Sequence, residues 1–145
     1  MATVNVYLTF NGNTEEAFNF YKSVFGGEFT YMGRFKDMPA DENCPPPSEE
    51  EGNRIMHVSL PISKETILMA SDSTSFSGDV TFGNNFSVSI NTDNKEEADR
   101  LFNGLSVGGN IIMPMEKTFW GAYFGMFTDK FGVNWMVNLD EVPAN

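Results

Sequence analysis

The sequence predicts an α+β fold of two βαβββ units, paired into a cleft-forming mixed β-sheet with the helices outside. Each half of the chain begins with apolar residues at every second position, as in a half-buried strand. Each half then continues into a helical pattern that starts at an asparagine and ends at a glycine pair. These features recur with an offset of 81 or 82 residues, which indicates a duplicated unit. The paired positions are Asn13/Asn94, Glu16/Glu97, Ala17/Ala98, Phe20/Leu101, Tyr21/Phe102, Val24/Leu105 and the glycine pairs Gly26-Gly27 and Gly108-Gly109.

The first unit covers about residues 1–70. Asn13 precedes Glu16 by three residues, the spacing of a capping box, so a helix is predicted to start there. Its predicted apolar face is Ala17, Phe20, Tyr21, Val24 and Phe25. The other elements are the strands Val4–Phe10 and Glu28–Phe35 and the hairpin strands Ile55–Ile62 and Thr66–Ala70.

The second unit covers about residues 86–140 and follows a linker, 71–85, rich in Ser, Gly, Asp and Asn. A strand from Phe86 and a helix from Asn94 repeat the start of the first unit. Asp129–Gly132 predicts a turn between two antiparallel strands. Those strands are Phe119–Thr128 and Val133–Leu139, the second alternating Val133, Trp135, Val137 and Leu139 with polar residues.

Composition limits the classes of function. The 145 residues form a single domain, 1–145, with net charge −11 and pI about 4.3, which excludes nucleic acid as the expected partner. Six of the acids lie in an acidic loop, Asp37–Asn53, read as an irregular excursion or as a lid. The lone Cys44 excludes an intrachain disulfide. No apolar run is long enough to span a membrane, so a cytoplasmic protein is expected.

Strand alternation places neutral polar side chains on the face opposite the helices. We expect Tyr7, His57, Ser87 and Asn138 to face one pocket between the sheets, with Trp120 and Tyr123 near its mouth. His57 is the candidate catalytic residue, and a structural hydrogen-bonding role is its alternative. For the aromatic residues the alternative to a ligand wall is core packing.

Three stretches carry a family resemblance: YLTFNGNTEEAFNFYKSVFGG, then IMHVSL with ILMASD, then TFWGAYFGMFTDKFGVNWMVN. Together they resemble the PhnB-like branch of the vicinal oxygen chelate superfamily, which includes glyoxalase I, bleomycin-resistance proteins and extradiol dioxygenases. The resemblance implies the paired βαβββ fold, a cleft, and a homodimer. It also implies metal ligands on the first and last strands of each unit. Those places fall near Tyr7, Met69, Ser87 and Met136, none of which is a strong ligand for a divalent cation.

We therefore predict no metal and no cofactor, with a divalent metal as the alternative. Branch members often carry the label demethylubiquinone methyltransferase, but the sequence has no strand, glycine-rich turn and helix for a nucleotide cofactor. Two classes of function stay open. One is a protein that binds a small organic molecule in the cleft. The other is a metal-dependent or His57-assisted lyase, isomerase or dioxygenase.

Overall fold

The computed structural model of the protein describes residues 2–39 and 46–141, so Cys44 and part of the acidic loop lie outside it. The chain divides into two compact units, Met1–Thr81 and Phe82–Asn145. No helix within the described ranges is long and apolar enough to cross a membrane.

Within its described residues, the first unit contains four strands and two α-helices. β1 lies parallel to β4, and β3 is antiparallel to both β4 and β2. The sheet order is β1-β4-β3-β2. A 3₁₀ turn (Phe35–Asp37) follows β2. The elements are β1 (Val6–Phe10), α1 (Thr14–Phe25), β2 (Tyr31–Arg34), α2 (Glu49–Gly52), β3 (Ile55–Pro61) and β4 (Ile67–Asp72).

The second unit repeats this topology. β5 lies parallel to β8, β7 is antiparallel to β8 and β6, and the order is β5-β8-β7-β6. In each sheet the first strand of the unit lies beside the fourth, then come the third and the second. The α+β fold of two βαβββ units is therefore confirmed, while the cleft between the sheets stays a prediction. The elements are β5 (Val88–Asn91), α3 (Lys95–Leu105), β6 (Asn110–Lys117), β7 (Ala122–Thr128) and β8 (Asn134–Asp140).

The core of the first unit lies between α1 and one face of its sheet. Phe18 is fully buried and contacts Phe10 and Tyr21 edge-on, with ring centroids 6.5 and 5.4 Å apart. The predicted apolar face of this helix omitted Phe18 and included Phe20, which is only half-buried. The reason is that Phe18 lies one position after Ala17 and still reaches the sheet, so the buried stripe is wider than predicted.

The predicted cap at Asn13 is correct in position but not in chemistry. Asn13 is the N-cap residue, yet its side chain makes no capping hydrogen bond. Asp72, at the end of β4, does so instead: its Oδ1 accepts from the backbone N–H groups of Gly12 and Thr14, each at 3.0 Å. Thr14 Oγ1 donates to the same oxygen at 2.6 Å, and the N–H of Ile55 donates to Oδ2 at 2.9 Å. One buried carboxylate thus joins α1, β3 and β4.

In the second unit, the buried face and the cap of α3 are those that the repeat predicts. The predicted helical residues Ala98, Leu101, Phe102 and Leu105 are all buried. Asn94 caps α3 with its own side chain, since its Oδ1 accepts from the N–H of Glu97 at 2.8 Å. The α3 face packs on Phe127, and Phe127 stacks on the fully buried Trp135.

Several apolar residues assigned to strands lie outside them, among them Val4, Phe86 and Phe119. Val4 is 98% exposed, because β4, the strand that pairs with β1, starts at Ile67 and its pairing reaches back only to Val6. Phe86 is 59% exposed for the same reason at the start of β5. Phe119 is 96% exposed, since it belongs to the turn between β6 and β7.

The acidic loop contains more structure than the sequence predicted. Residues 49–52 form α2, a single helical turn that begins at Ser48, whose Oγ accepts from the N–H of Glu51 at 3.2 Å. The Glu51 carboxylate also accepts from the N–H of Ser75 at 2.6 Å, which ties α2 to the linker. Ser48 and the acids of the first turn are favourable at a helix start, so the prediction of an irregular loop was wrong for residues 49–52.

Candidate functional site

The first unit presents polar side chains on the face of its sheet that α1 does not cover. Leu8 and Phe10 are buried under α1, so Tyr7 and Thr9 lie on the other face. On β3, Val58 and Leu60 are buried, and His57 and Ser59 therefore share the face of Tyr7. We call this surface the first helix-free face.

His57 is the centre of a hydrogen-bonded chain on that face. Its Nδ1 lies 3.1 Å from Tyr7 Oη, and its Nε2 lies 2.9 Å from Ser59 Oγ. The imidazole is stacked near the Tyr7 ring, with centroids 5.6 Å apart and planes 28° apart. The Tyr31 ring lies on β2, 5.7 Å from the imidazole. Both ring nitrogens thus have partners, and both tyrosines remain 49% exposed.

Strand pairing explains how these residues meet. Met69 on β4 is the register partner of both Tyr7 and Ser59, so the tyrosine reaches across β4 to the histidine. Gly33 is the register partner of His57, and a Cβ at Gly33 would lie only 2.5 Å from Tyr31 Oη. Glycine at this position therefore lets the Tyr31 ring fold over its own strand.

The hydrogen bonds of His57 to Tyr7 and Ser59 are compatible with either tautomer of the imidazole. If Tyr7 donates to Nδ1, then Nε2–H donates to Ser59. In the other tautomer Nδ1–H donates to Tyr7, and the Ser59 hydroxyl donates to Nε2. The first tautomer leaves a lone pair of Ser59 Oγ for a ligand, and the second makes Ser59 a better nucleophile.

The second unit has a different helix-free face. Gly125 and Phe127 share the face of β7 that α3 covers. A Cβ at Gly125 would lie 2.7 Å from the Phe102 ring, and the Phe127 ring contacts the same Phe102. Phe124 and Met126 therefore lie on the opposite side, which we call the second helix-free face. Register places Asn138 beside Phe124, and Met136 beside Met126.

Two more of the predicted site residues lie on or beside this second face. Ser87 is half-buried just before β5, next in sequence to the core residue Val88. Trp120 is in the β6–β7 turn, 58% exposed, with its ring 6.2 Å from Phe124. Asn138 Nδ2 donates to Asn91 Oδ1 at 3.1 Å and to Asp140 Oδ1 at 3.0 Å.

The prediction that Tyr123 lies near the mouth of the pocket with Trp120 needs a correction. Tyr123 shares the helix side of β7 with Gly125, and its hydroxyl donates to Asp99 Oδ1 on α3 at 2.6 Å. Lys95 Nζ, also on α3, lies 5.2 Å from the centre of its ring. Tyr123 therefore lies on the opposite face from Asn138 and does not join Trp120 in a ligand wall. The hydrogen bond to Asp99, then burial and the Asp99 charge, raise the pKa of Tyr123 to about 12.

Sequence reasoning left several residues of these faces out of the predicted site. Ser59 was placed on the polar face but not in the site, although its alternation with His57 was a sufficient signal. Tyr31 is identified only by the position of its ring over Gly33, and Phe124 only by strand register. At the places where the resemblance implies metal ligands, the described residues contain no cluster of three or more His, Cys, Asp or Glu side chains.

Comparison with known proteins identifies relatives over nearly the whole chain. The model of the family described as 3-demethylubiquinone-9 3-methyltransferase matches residues 2–138. Protein YjdN of Escherichia coli (strain K12) is 34% identical over 142 residues, covering 92% of each chain.

Solved structures agree with this result. Protein PA1353 from Pseudomonas aeruginosa is 42% identical, with a TM-score of 0.85 over 98% of this chain and 100% of that one. The PhnB protein from Bacillus cereus is 29% identical, with a TM-score of 0.73 over 95% and 99%. A glyoxalase/bleomycin resistance protein from Albidiferax ferrireducens T118, at 13% identity over 94% and 97%, shares the fold with a TM-score of 0.61.

Proposed function

Because the chain belongs to the PhnB-like family described as 3-demethylubiquinone-9 3-methyltransferase, with the fold of the glyoxalase/bleomycin-resistance proteins, we propose that it binds a small organic molecule. The observation that carries the proposal is the Tyr7–His57–Ser59 chain on the first helix-free face. A fixed imidazole between a phenol and a hydroxyl is a preorganised hydrogen-bonding group. A few such groups beside aromatic rings are the usual features of a small-molecule site.

The ligand is expected to lie across the rings of Tyr7 and Tyr31 and to bond the His57–Ser59 pair. Both rings are half-exposed and approach the imidazole, so a planar group can stack on them without displacing core residues. Ser87 and Asn138, which strand alternation groups with His57, belong to the second unit, and their place in this site stays a prediction from the sequence.

A thermal-shift screen of metabolites and cationic drugs tests this function. A ligand at 100 times its dissociation constant should stabilise the folded state by about 2.7 kcal/mol. His57 is the chain's single histidine, so its imidazole ¹⁵N signals report contact without assignment. We expect any hit to shift these signals, and His57→Ala to abolish the thermal shift at an almost unchanged melting temperature.

Tyr7→Phe is the matched variant, since it removes the hydroxyl and keeps the ring. A hit that still shifts the melting temperature of His57→Ala, or that leaves the imidazole signals in place, would contradict the proposed site. A large loss of stability in unliganded His57→Ala would make His57 a structural residue.

A second candidate function is acid–base catalysis by His57. The observation in its favour is the 2.9 Å separation of Ser59 Oγ and His57 Nε2, which is within reach for proton transfer. A substrate turned over by the protein and not by Ser59→Ala or His57→Ala would establish it. Elemental analysis of protein from its own host tests the metal-dependent alternative, for which one metal per chain is required.

We do not propose methyl transfer on the basis of the family description. The connection from β1 to α1 is Asn11-Gly12-Asn13, and it carries a single glycine rather than a nucleotide-binding turn. We also propose a homodimer in the cytoplasm, which light scattering at tens of micromolar protein and fractionation of the host cell can check.

A further inference from the structure

We propose that the second unit has a surface for planar aromatic cations, formed by Phe119, Trp120 and Phe124 with Glu116 and Asp140 beside them. We call the three rings the aromatic corner. The proposal concerns a surface of the second unit and does not depend on the His57 site. It specifies the chemical class of a ligand from ring geometry, charge and one fixed amide.

Two rings of the corner are exposed, although all three are in contact, and the third, Phe124, is half-buried. Phe119 is 96% exposed and Trp120 is 58% exposed. The two rings meet edge-to-face, 4.9 Å apart at 88°, and Trp120 meets Phe124 at 6.2 Å and 64°. Edge-to-face contacts leave ring faces open for a further stacked ring.

A tight turn holds the corner in place. Thr118 Oγ1 donates to the carbonyl of Ala122 at 3.0 Å and accepts from its N–H at 3.1 Å. Gly121 completes the turn at φ +87°, a conformation that favours glycine. Two large apolar side chains are thus presented on an ordered hairpin end, where burying them would be favourable.

The charges next to the corner are negative on this face. Glu116 is the register partner of Phe124, so the carboxylate lies on the second helix-free face. Its neighbour Lys117 pairs with Tyr123 and lies on the other side of the sheet. Within residues 2–39 and 46–141, no salt bridge involves Glu116 or Asp140. Exposed rings next to carboxylates with no ion pair favour a cation over an anion or a neutral molecule.

Asn138 adds a fixed hydrogen-bond acceptor. The Asp140 carboxylate accepts only, so the Asn138 atom that bonds to it must be Nδ2. The amide therefore presents Oδ1 to a ligand beside Phe124, its register partner. In the adjoining rows Met126 and Met136 supply polarizable apolar contacts. The occupant that fits all of these groups is a flat aromatic cation that carries N–H donors.

Proflavine tests the proposal, because it is planar, cationic and carries N–H donors, and 9-anthroate is an anionic counterpart of similar size. We expect the full chain to bind proflavine and not 9-anthroate in a fluorescence titration at moderate salt. Trp120→Leu should weaken proflavine binding about tenfold, the effect of one stacked cation–π contact. Glu116→Gln should weaken it about threefold to tenfold.

Two matched variants separate a site from diffuse attraction to an acidic protein. Phe76→Leu removes a ring that is fully exposed in the linker of the first unit, and Glu65→Gln makes the same charge change in the β3–β4 turn. Both should leave the affinity within a factor of two. Equal losses in Trp120→Leu and Phe76→Leu, or in Glu116→Gln and Glu65→Gln, would overturn the proposal, as would equal binding of 9-anthroate.

Methionine methyl groups provide a readout that needs no binding-site substitution. In ¹³C-methyl-labelled protein, proflavine should shift the Met126 and Met136 signals by its ring current and leave Met32, on β2, unchanged. Shifts confined to other methionines would contradict the proposed surface. The His57 imidazole signals report the other site, so failure of either proposal can be recognised separately.

Discussion

In the first unit, the start of α1 is held by a carboxylate from another strand, whereas in the second the start of α3 is held by its own cap residue. Asp72 accepts from three groups at the start of α1 and from Ile55 on β3. Asn94 makes the single bond to Glu97 that the sequence predicts. The strand orders are the same, so topology does not decide which group satisfies the first N–H groups of a helix.

The two units also differ in the burial of the last residue of their fourth strand. Asp72 ends β4 and is 4% exposed, while Asp140 ends β8 and is exposed. The second unit has its buried carboxylate at Asp129 in the β7–β8 turn. There it accepts from the N–H groups of Phe131 and Val133 and from Trp135 Nε1, at 2.9, 3.0 and 2.8 Å. Among the described residues, each unit thus has one buried carboxylate, and the two lie at different places on the same topology.

The largest effect is expected for Asp72→Asn. An amide keeps the size of the side chain but replaces one acceptor with a donor, so at least one buried backbone N–H loses its partner. We expect the free energy of unfolding to fall by about 2–4 kcal/mol, measured by urea denaturation. Asp140→Asn is the matched control at the equivalent strand end, and it should change stability by no more than about 0.5 kcal/mol.

Similar losses in both variants would show that the two strand ends have equivalent roles, and the comparison of the units would fail. A small loss in Asp72→Asn alone would mean that water replaces the carboxylate at the start of α1.

The fold could be predicted because the signals are local and repeated. Alternation, the Asn–Glu spacing and the glycine pairs each depend on neighbouring residues, and their recurrence at one offset revealed the duplication. The role of Asp72 could not be predicted in this way, because it lies 58 residues from Thr14 in sequence. Only the parallel pairing of β1 with β4 brings the end of β4 to the start of α1.

The candidate site was predicted only in part, because alternation along a strand is a local signal and contacts between strands are not. Alternation correctly gave Tyr7 and His57 one face, but it could not show that Tyr31 folds over Gly33. Tyr123 was assigned by its position in an aromatic stretch, without an alternation pattern to set the phase of β7. An aromatic-rich strand has large side chains on both faces, so its phase is not evident from hydrophobicity.

A medium effect is expected from the two predicted caps, Asn94 and Asn13. Asn94→Ala removes the acceptor for the N–H of Glu97 and should lower the free energy of unfolding by about 1 kcal/mol. Asn13→Ala removes no capping bond, because Asp72 serves this end of α1, and should cost no more than about 0.5 kcal/mol. Chemical denaturation of the two single variants under identical conditions gives the comparison. A larger loss for Asn13→Ala would show that its side chain caps α1 in solution.

The smallest change is expected for Tyr123, whose contribution to stability depends on pH only above about pH 10. Its pKa is raised from 10.0 to about 12, because the neutral hydroxyl donates to Asp99 and the phenolate would face that carboxylate. A raised pKa in the folded state means that the contribution to stability is complete below about pH 10 and is lost as pH rises toward 12. Tyr123→Phe lacks this hydroxyl. The difference in unfolding free energy between the parent protein and Tyr123→Phe should therefore be constant below pH 10 and shrink between pH 10 and 12.

Asp99→Asn supplies the control for the cause of this dependence. Without the carboxylate, Tyr123 should ionise closer to pH 10, and its absorbance near 295 nm, obtained as the difference from the Tyr123→Phe spectrum in the same background, should rise at correspondingly lower pH. In the first unit the exposed tyrosines, Tyr7 and Tyr31, are directed to His57 rather than to a helix. A Tyr123 that titrates alike with and without the Asp99 carboxylate would show that the hydroxyl does not bond α3.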